Sequence, residues 1–247
     1  MLIRLLLQGS FGFVAMALLW VPPQVRIPGP GGASGVAPGV GPIAFVNSVC
    51  GPATPTANGG TSASVNMSGA NFYVAAVAHG TGGSFAITDS NSDTWTPIST
   101  AHRIDFAYAQ NVTGNSSIAF TSTSSAGDEM FCVYGFSGMA TGGVYESVSA
   151  YSISGFGTSQ PAGSVTPAGS GNQLIFTGMA DASGGTPAGL AVSGFLGLQY
   201  AASSGGALFG AGGAYLLQNG NAAQSPTWTT TGGGATMAAG AAVFQGN

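Results

Sequence analysis

From about residue 43 onward the chain is written in short runs of Val, Ile, Phe, Tyr and Thr, each closed by Gly, Asn, Ser or Asp. NFYVAAVAHG, SFAITDS, DTWTPIST, IDFAYAQN, SSIAFTST and EMFCVYGFSG are the clearest of them. Apolar, β-branched and aromatic runs bounded by turn residues are the pattern of β-strands. No segment after residue 42 carries sustained helical periodicity with caps, which removes helical bundles and α/β folds. The pattern predicts an all-β fold, an antiparallel, jelly-roll-like β-sandwich over residues 43–247, because regular short strand spacing suits stacked sheets.

A weak internal repeat divides this region into related halves, about 61–138 and 163–246. GANFYVAAVAHG can be laid on SGNQLIFTGMAD with Asn71 on Asn172, and the later strands follow with Tyr108 on Tyr215 and Phe136 on Phe244. Each half alone is marginal for a hydrophobic core, which favours one interleaved sandwich over two successive ones. The second half is poorer in large side chains, as in SSGGALFGAGGAYLL and TTTGGGATMAAGAAVF. Glycine weakens a strand, so these segments require covering neighbours or a close approach of sheets. Partner subunits are candidates for that cover.

Ahead of the sandwich, MLIRLLLQGSFGFVAMALLWV (1–21) has the shape of a signal peptide or short membrane anchor. Its Ala15 to Ala17 small-residue pattern lies inside the apolar run instead of after it. An uncleaved arm that buries itself against neighbouring subunits accounts for it equally well. Residues 22–42 form a Pro/Gly-rich strap. Gly29, Gly32, Gly35 and Gly41 keep a three-residue period that Pro38 breaks, so an extended strap fits and a collagen helix does not.

Charge excludes several partners. Only 4% of residues are charged, lysine is absent, and Arg4, Arg26 and Arg103 are the only arginines. Three scattered cations cannot neutralise a nucleic-acid backbone or an anionic membrane surface. No nucleic-acid partner is expected, and membrane contact only through residues 1–21. A surface covered by Ser, Thr, Asn, Gln and Gly repels its copies weakly, which favours permanent assembly. Cys50 and Cys132 are the only cysteines. They can form a disulfide or pack as two buried thiols.

The stretch AITDSNSDTW sets Asp89, Asn91 and Asp93 at alternate positions before Trp95. An EF-hand loop would also need glycine at its sixth position and glutamate at its twelfth, where this chain has Thr94 and Thr100. A looser calcium site would draw further donors from Asp105 or Asp128. Against it stands a turn in which the Asx side chains bond their own backbone, with Trp95 packed into the sandwich.

These runs, taken in order with NQLIFTGMA, resemble a β-sandwich module of phage virion proteins and of bacterial secreted or surface proteins. The family pattern includes a D-S-x-G-N-T-W/Y hairpin, a Y-x-A strand and a terminal F-S-G strand. Asp89, Ser90, Thr94 and Trp95 match it, while Ser92 and Asp93 replace Gly-Asn, where glycine would supply a positive φ. The resemblance implies a structural or adhesive module and specifies no ligand.

Enzyme motifs are sparse. His79 and His102 are the only histidines, and no G-x-S-x-G elbow occurs. His79 ends a strand and could meet an aspartate and a serine only through the fold. Asn66, Asn111 and Asn115 begin N-x-S/T sequons, frequent by chance in so Ser/Thr-rich a chain. The expectation is a non-enzymatic, cofactor-free structural protein of a phage virion: a decoration, spike or fibre subunit, homo-oligomeric and associated with other virion subunits. The alternative is an extracellular or cell-surface adhesin or carbohydrate-binding sandwich using Trp95, Tyr108, Tyr151 or Trp228 on a host glycan, or the subunit of an extracellular filament.

Overall fold

A computed structural model describes residues 42–53, 59–80, 84–125, 129–182, 187–202, 210–231 and 235–247, the side chains of 151–156 and 235–236 excepted. The arm at 1–21 and all of the strap but Pro42 lie outside the described residues. The first half contains β1 (Ala44–Gly51), β2 (Gly59–Thr61), β3 (Phe72–Ala78), β4 (Phe85–Asp89), β5 (Trp95–Ile98), β6 (Ile104–Gln110), β7 (Phe120–Ser124) and β8 (Met130–Ser137). The second contains β9 (Tyr145–Gly157), β10 (Ser159–Pro161), β11 (Asn172–Asp181), β12 (Ala191–Val192), β13 (Leu196–Ala202), β14 (Gly210–Asn219), β15 (Thr227–Thr229) and β16 (Ala235–Gln245). The described residues form no helix, and every pairing is antiparallel.

Strand order shows a duplication. The first half makes a five-stranded sheet, β1-β8-β3-β6-β5, and a three-stranded sheet, β2-β7-β4. The second makes β9-β16-β11-β14-β13 and β10-β15-β12, the same orders with eight added to each label. No sheet mixes the halves: each contributes one five-stranded sheet to a shared central core and carries its three-stranded sheet on the far side. Each half closes its own jelly-roll-like sandwich, and the marginal size of each core is met by packing the two five-stranded sheets face to face.

Three apolar layers result. Strand β3 is buried at every position because it serves two of them. Phe72, Val74, Ala76 and Ala78 enter the central core between the halves, while Tyr73, Ala75 and Val77 enter the first sandwich. In β11, Leu174, Phe176 and Ala180 face the central core, and Ile175 and Met179 face the second sandwich. A strand covered on both faces reads as a continuous apolar run instead of an alternating one.

The Gly/Ala-rich second half meets its cover here. Gly213, Gly178 and Gly240 stand opposite one another across β14, β11 and β16. A Cβ on Gly178 would come within 2.6 Å of Ala76 Cβ and 3.0 Å of the Phe106 ring, and one on Gly240 within 2.9 Å of the same ring. A Cβ on Gly213 would meet the Tyr134 ring at 2.6 Å. The glycine row is thus a shallow trough that receives aromatic side chains from the opposite sheet. Tyr134 spans the gap and donates its hydroxyl hydrogen to the Gly213 carbonyl, 2.5 Å away.

The contact between halves is reciprocal. Phe45 of β1 stacks on Tyr215 of β14 at 5.0 Å, and Tyr145 of β9 stacks on Tyr108 of β6 at 6.1 Å. Phe45 pairs with Phe136 in its sheet as Tyr145 pairs with Phe244, so these stacks are equivalent under exchange of the halves. This is the geometry of an isologous dimer interface inside one chain. Cys50 and Cys132 are register partners on β1 and β8 and form a disulfide across 82 residues. Closing a loop of that length restricts the unfolded chain by about 4 kcal/mol.

Gly178→Ala is expected to lower unfolding free energy by about 1–3 kcal/mol through overpacking. Gly142→Ala, with nothing within 4 Å of the added carbon, should change it by less than about 0.5 kcal/mol. Denaturant titration of both variants measures the difference.

Candidate functional site

The AITDSNSDTW stretch forms the end of β4, a turn and the start of β5. Asp89 organises it. Its Oδ1 accepts backbone N–H bonds from Asn91 at 2.8 Å and Asp93 at 3.3 Å, and its Oδ2 accepts the Trp95 indole N–H at 2.7 Å. Ser92 takes φ 63°, the left-handed conformation that glycine supplies in the family pattern. Ser92 holds this turn at a local strain of about 1–2 kcal/mol. Asn91 Oδ1 accepts from Asn115 Nδ2 at 3.4 Å. Asp93 Oδ2 is buried without a partner, and its burial, with the Asp89 charge beside it, raises the Asp93 pKa. The Asp89 side chain thus serves the turn, that of Asn91 links it to Asn115, and Asp105 does not join them. No group of three or more His, Cys, Asp or Glu able to hold a metal occurs among the described residues, and Asp128 lies outside them.

Three of the four aromatic side chains proposed as sugar platforms are engaged in packing. Trp95 stacks on Tyr73 at 6.2 Å and meets Phe120 edge-on in the first sandwich. Tyr108 is sandwiched among Phe72, Tyr145 and Phe244. Trp228 is fully buried in the second sandwich, its indole N–H donated to Thr177 Oγ1 at 3.0 Å. The backbone of Tyr151 lies in β9, and its side chain is outside the described ones.

The ionisable residues that the fold does gather are His79, Asp105 and Glu129. Strand alternation explains the meeting. Residues 73, 75 and 77 of β3 point into the first sandwich, and His79 continues that face. Asp105 precedes Ala107 and Ala109 on β6, and Glu129 precedes Phe131 and Val133 at the start of β8. Ala78 pairs with Met130 and Val77 with both Asp105 and Phe131, so all three side chains arrive at one end of the same interior. Each is only 2% exposed.

The His79 Nε2 lies 2.8 Å from Asp105 Oδ2, and its Nδ1 lies 2.7 Å from the Gly80 carbonyl. A carbonyl only accepts, so Nδ1 carries a hydrogen, and a charged ring can donate from both nitrogens. Burial disfavours that charge, but the bonds to Asp105 and Gly80 and the nearby Asp105 and Glu129 carboxylates outweigh it and raise the His79 pKa. Phe85 stacks on the imidazole at 5.8 Å, and Thr100 N–H donates to Asp105 Oδ1 at 2.6 Å.

Glu129 is less well served. Burial pushes its carboxyl up to about 7, against which the neighbouring Ser122 hydroxyl and the His79 charge act. Ser122 is close enough for that influence but not in hydrogen-bond geometry, since its hydroxyl and both Glu129 oxygens lack partners. With both His79 nitrogens engaged and the ring covered, the group has no imidazole left to activate a serine, so it is not a hydrolytic triad. What it can do is hold and release protons. Sequence reading paired His79 with no particular residue, although ionisable residues at inward-facing strand positions were a usable signal.

Compared with known proteins, the chain matches no family model, no curated protein and no solved structure.

Asp89→Ala strips acceptors from two backbone N–H groups and an indole, and should cost about 1–3 kcal/mol in denaturant titration followed by Trp fluorescence. Calcium at millimolar concentration should leave the melting temperature of the unaltered chain unchanged.

Proposed function

We propose that the chain is a non-enzymatic structural subunit of a phage virion, a capsid decoration, spike or fibre component that self-associates and displays its paired sandwiches. The observation that carries this reading is the use of the large aromatics. Trp95, Tyr108 and Trp228 are spent on cores, stacks and the contact between halves, which suits a rigid building block better than a sugar-binding face.

Jelly rolls recur in viral capsid and lectin domains, and fold likeness alone does not choose between them. Surface chemistry adds weight to assembly, since 4% charged residues leave copies little mutual repulsion. The Cys50–Cys132 disulfide suits a particle that persists outside a reducing cytosol. The arm at 1–21 is the proposed anchor, and virion or cell exterior the proposed location. A surface adhesin or filament subunit is the second reading, resting on the same disulfide and low charge.

Intact mass and negative-stain microscopy of protein from its native source test the proposal. A symmetric particle or fibre whose subunits retain residues 1–21 is the expected result. A trimmed monomer would overturn it and favour a secreted binding module, which glycan-array binding would then identify. Regular self-assembly of purified chain alone, lost on deleting residues 1–28, would instead indicate a filament.

A further inference from the structure

The duplication supplies an internal control for the His79, Asp105 and Glu129 group. Phe72 and Leu174 occupy equivalent places, since they pair with Phe136 and Phe244. Counting along β3 and β11 then puts Asp181 where His79 stands. The same registers put Met237 in the place of Glu129 and Gly212 in that of Asp105. In the small sheets, Gly60 pairs with Ser122 as Gln160 pairs with Trp228, so Trp228 occupies the place of Ser122.

The second sandwich therefore closes this end with an indole, a thioether and one carboxyl group, that of Asp181, which is buried and accepts the Tyr200 hydroxyl at 3.3 Å. A Cβ on Gly212 would meet Trp228 at 3.3 Å, which is how tightly the indole fills the space. The first sandwich closes the same end with two carboxyl groups, an imidazole and a hydroxyl, and leaves both Glu129 oxygens and Ser122 Oγ without partners. The architecture does not require a carboxyl group without partners at this end. An unpartnered buried carboxylate costs far more than an unpartnered buried acid.

We propose that this end of the first sandwich is a proton-operated latch, closed while Glu129 is protonated and loosened when it ionises. The facing groups are His79 from β3, Asp105 from β6 and Ser122 from β7. β4 brings Phe85 and Ile87, and β1 brings Val49 and Gly51, none of them titratable. Arg103 and His102 precede Asp105 in the β5–β6 turn, where the Arg103 carbonyl accepts the His79 backbone N–H. The latch belongs to the chain itself, whatever the chain assembles with.

The direction follows from linkage. Glu129 goes from an ordinary 4.5 to about 7 on folding, so the folded state keeps a proton that the unfolded chain has released. Its stabilising effect is complete below about 4.5 and lost as pH rises through about 7. His79, also raised, contributes below 6.5 and loses its effect as pH rises through its folded value. Both act in one sense. The fold is strongest in mild acid and weakens toward alkaline pH, opposite to a protein held by salt-bridged carboxylates.

The test is denaturant unfolding of the full chain and of Glu129→Gln at pH 5.5 and 8.5. The unaltered chain should show an unfolding constant more than about tenfold larger at pH 8.5, and Glu129→Gln most of that difference removed. Hydrogen exchange, corrected for intrinsic rates, should show protection lost at pH 8.5 around β7 and the start of β8, and kept around Trp228. Parallel pH profiles for both proteins, or greater stability at pH 8.5, would overturn the latch. Should Glu129→Gln fail to fold, infrared spectroscopy of the unaltered chain decides. A buried carboxylic-acid band that disappears with a midpoint near 7 supports the latch, and its absence at pH 5.5 refutes it.

Discussion

The close approach of the two five-stranded sheets governs this molecule. Gly178 and Gly240 lie under the Phe106 ring and Gly213 under Tyr134, and the lost side-chain volume lets two independently closed sandwiches share a third core. Aromatic rings from one half fill what glycine leaves open in the other. Each half therefore escapes the marginal burial of a small domain by being the other's cover. The reciprocal stacks of Phe45 on Tyr215 and Tyr145 on Tyr108 fix the orientation of that contact.

Much of the first-order architecture was legible in the sequence. The runs FYVAAVA and MFCVYGF read as strands, which the fold covers on both faces, and the Gly/Ala tracts declared a need for close cover. The alignment of Tyr108 with Tyr215 and of Phe136 with Phe244 coincides with their registers. Asn71 and Asn172 also share a role, donating to the carbonyls of Met139 and Asn247. What the sequence did not convey was which sheets belong together, because strand patterning fixes which residues face inward and leaves open against which partner. Interleaving and duplication predict the same alternation.

The chemistry was less legible for a related reason. Asp89, Asn91 and Asp93 are close in sequence and invited a metal reading, yet their oxygens and N–H groups largely satisfy the turn that holds them. His79, Asp105 and Glu129 span 50 positions and meet only because three strands end together. Trp228, flanked by Pro, Ser and Thr, reads as an exposed platform. It is instead the largest fully buried side chain of the second sandwich. Polar neighbours on a half-buried strand describe its outer face and say nothing of the residue between them.

The exchange-symmetric contact between the halves has a consequence for dilution. Two separate subunits joined through the same surfaces would part once their concentration fell below the dissociation constant. Here both surfaces travel on one backbone, joined through the short 138–144 connection, so each meets its mate at a local concentration set by that connection and not by the surroundings. The union is unimolecular. It should be as complete in a single molecule as in a concentrated solution, and each half can accumulate its own substitutions, an indole in one where the other has a hydroxyl, without having to fit a copy of itself.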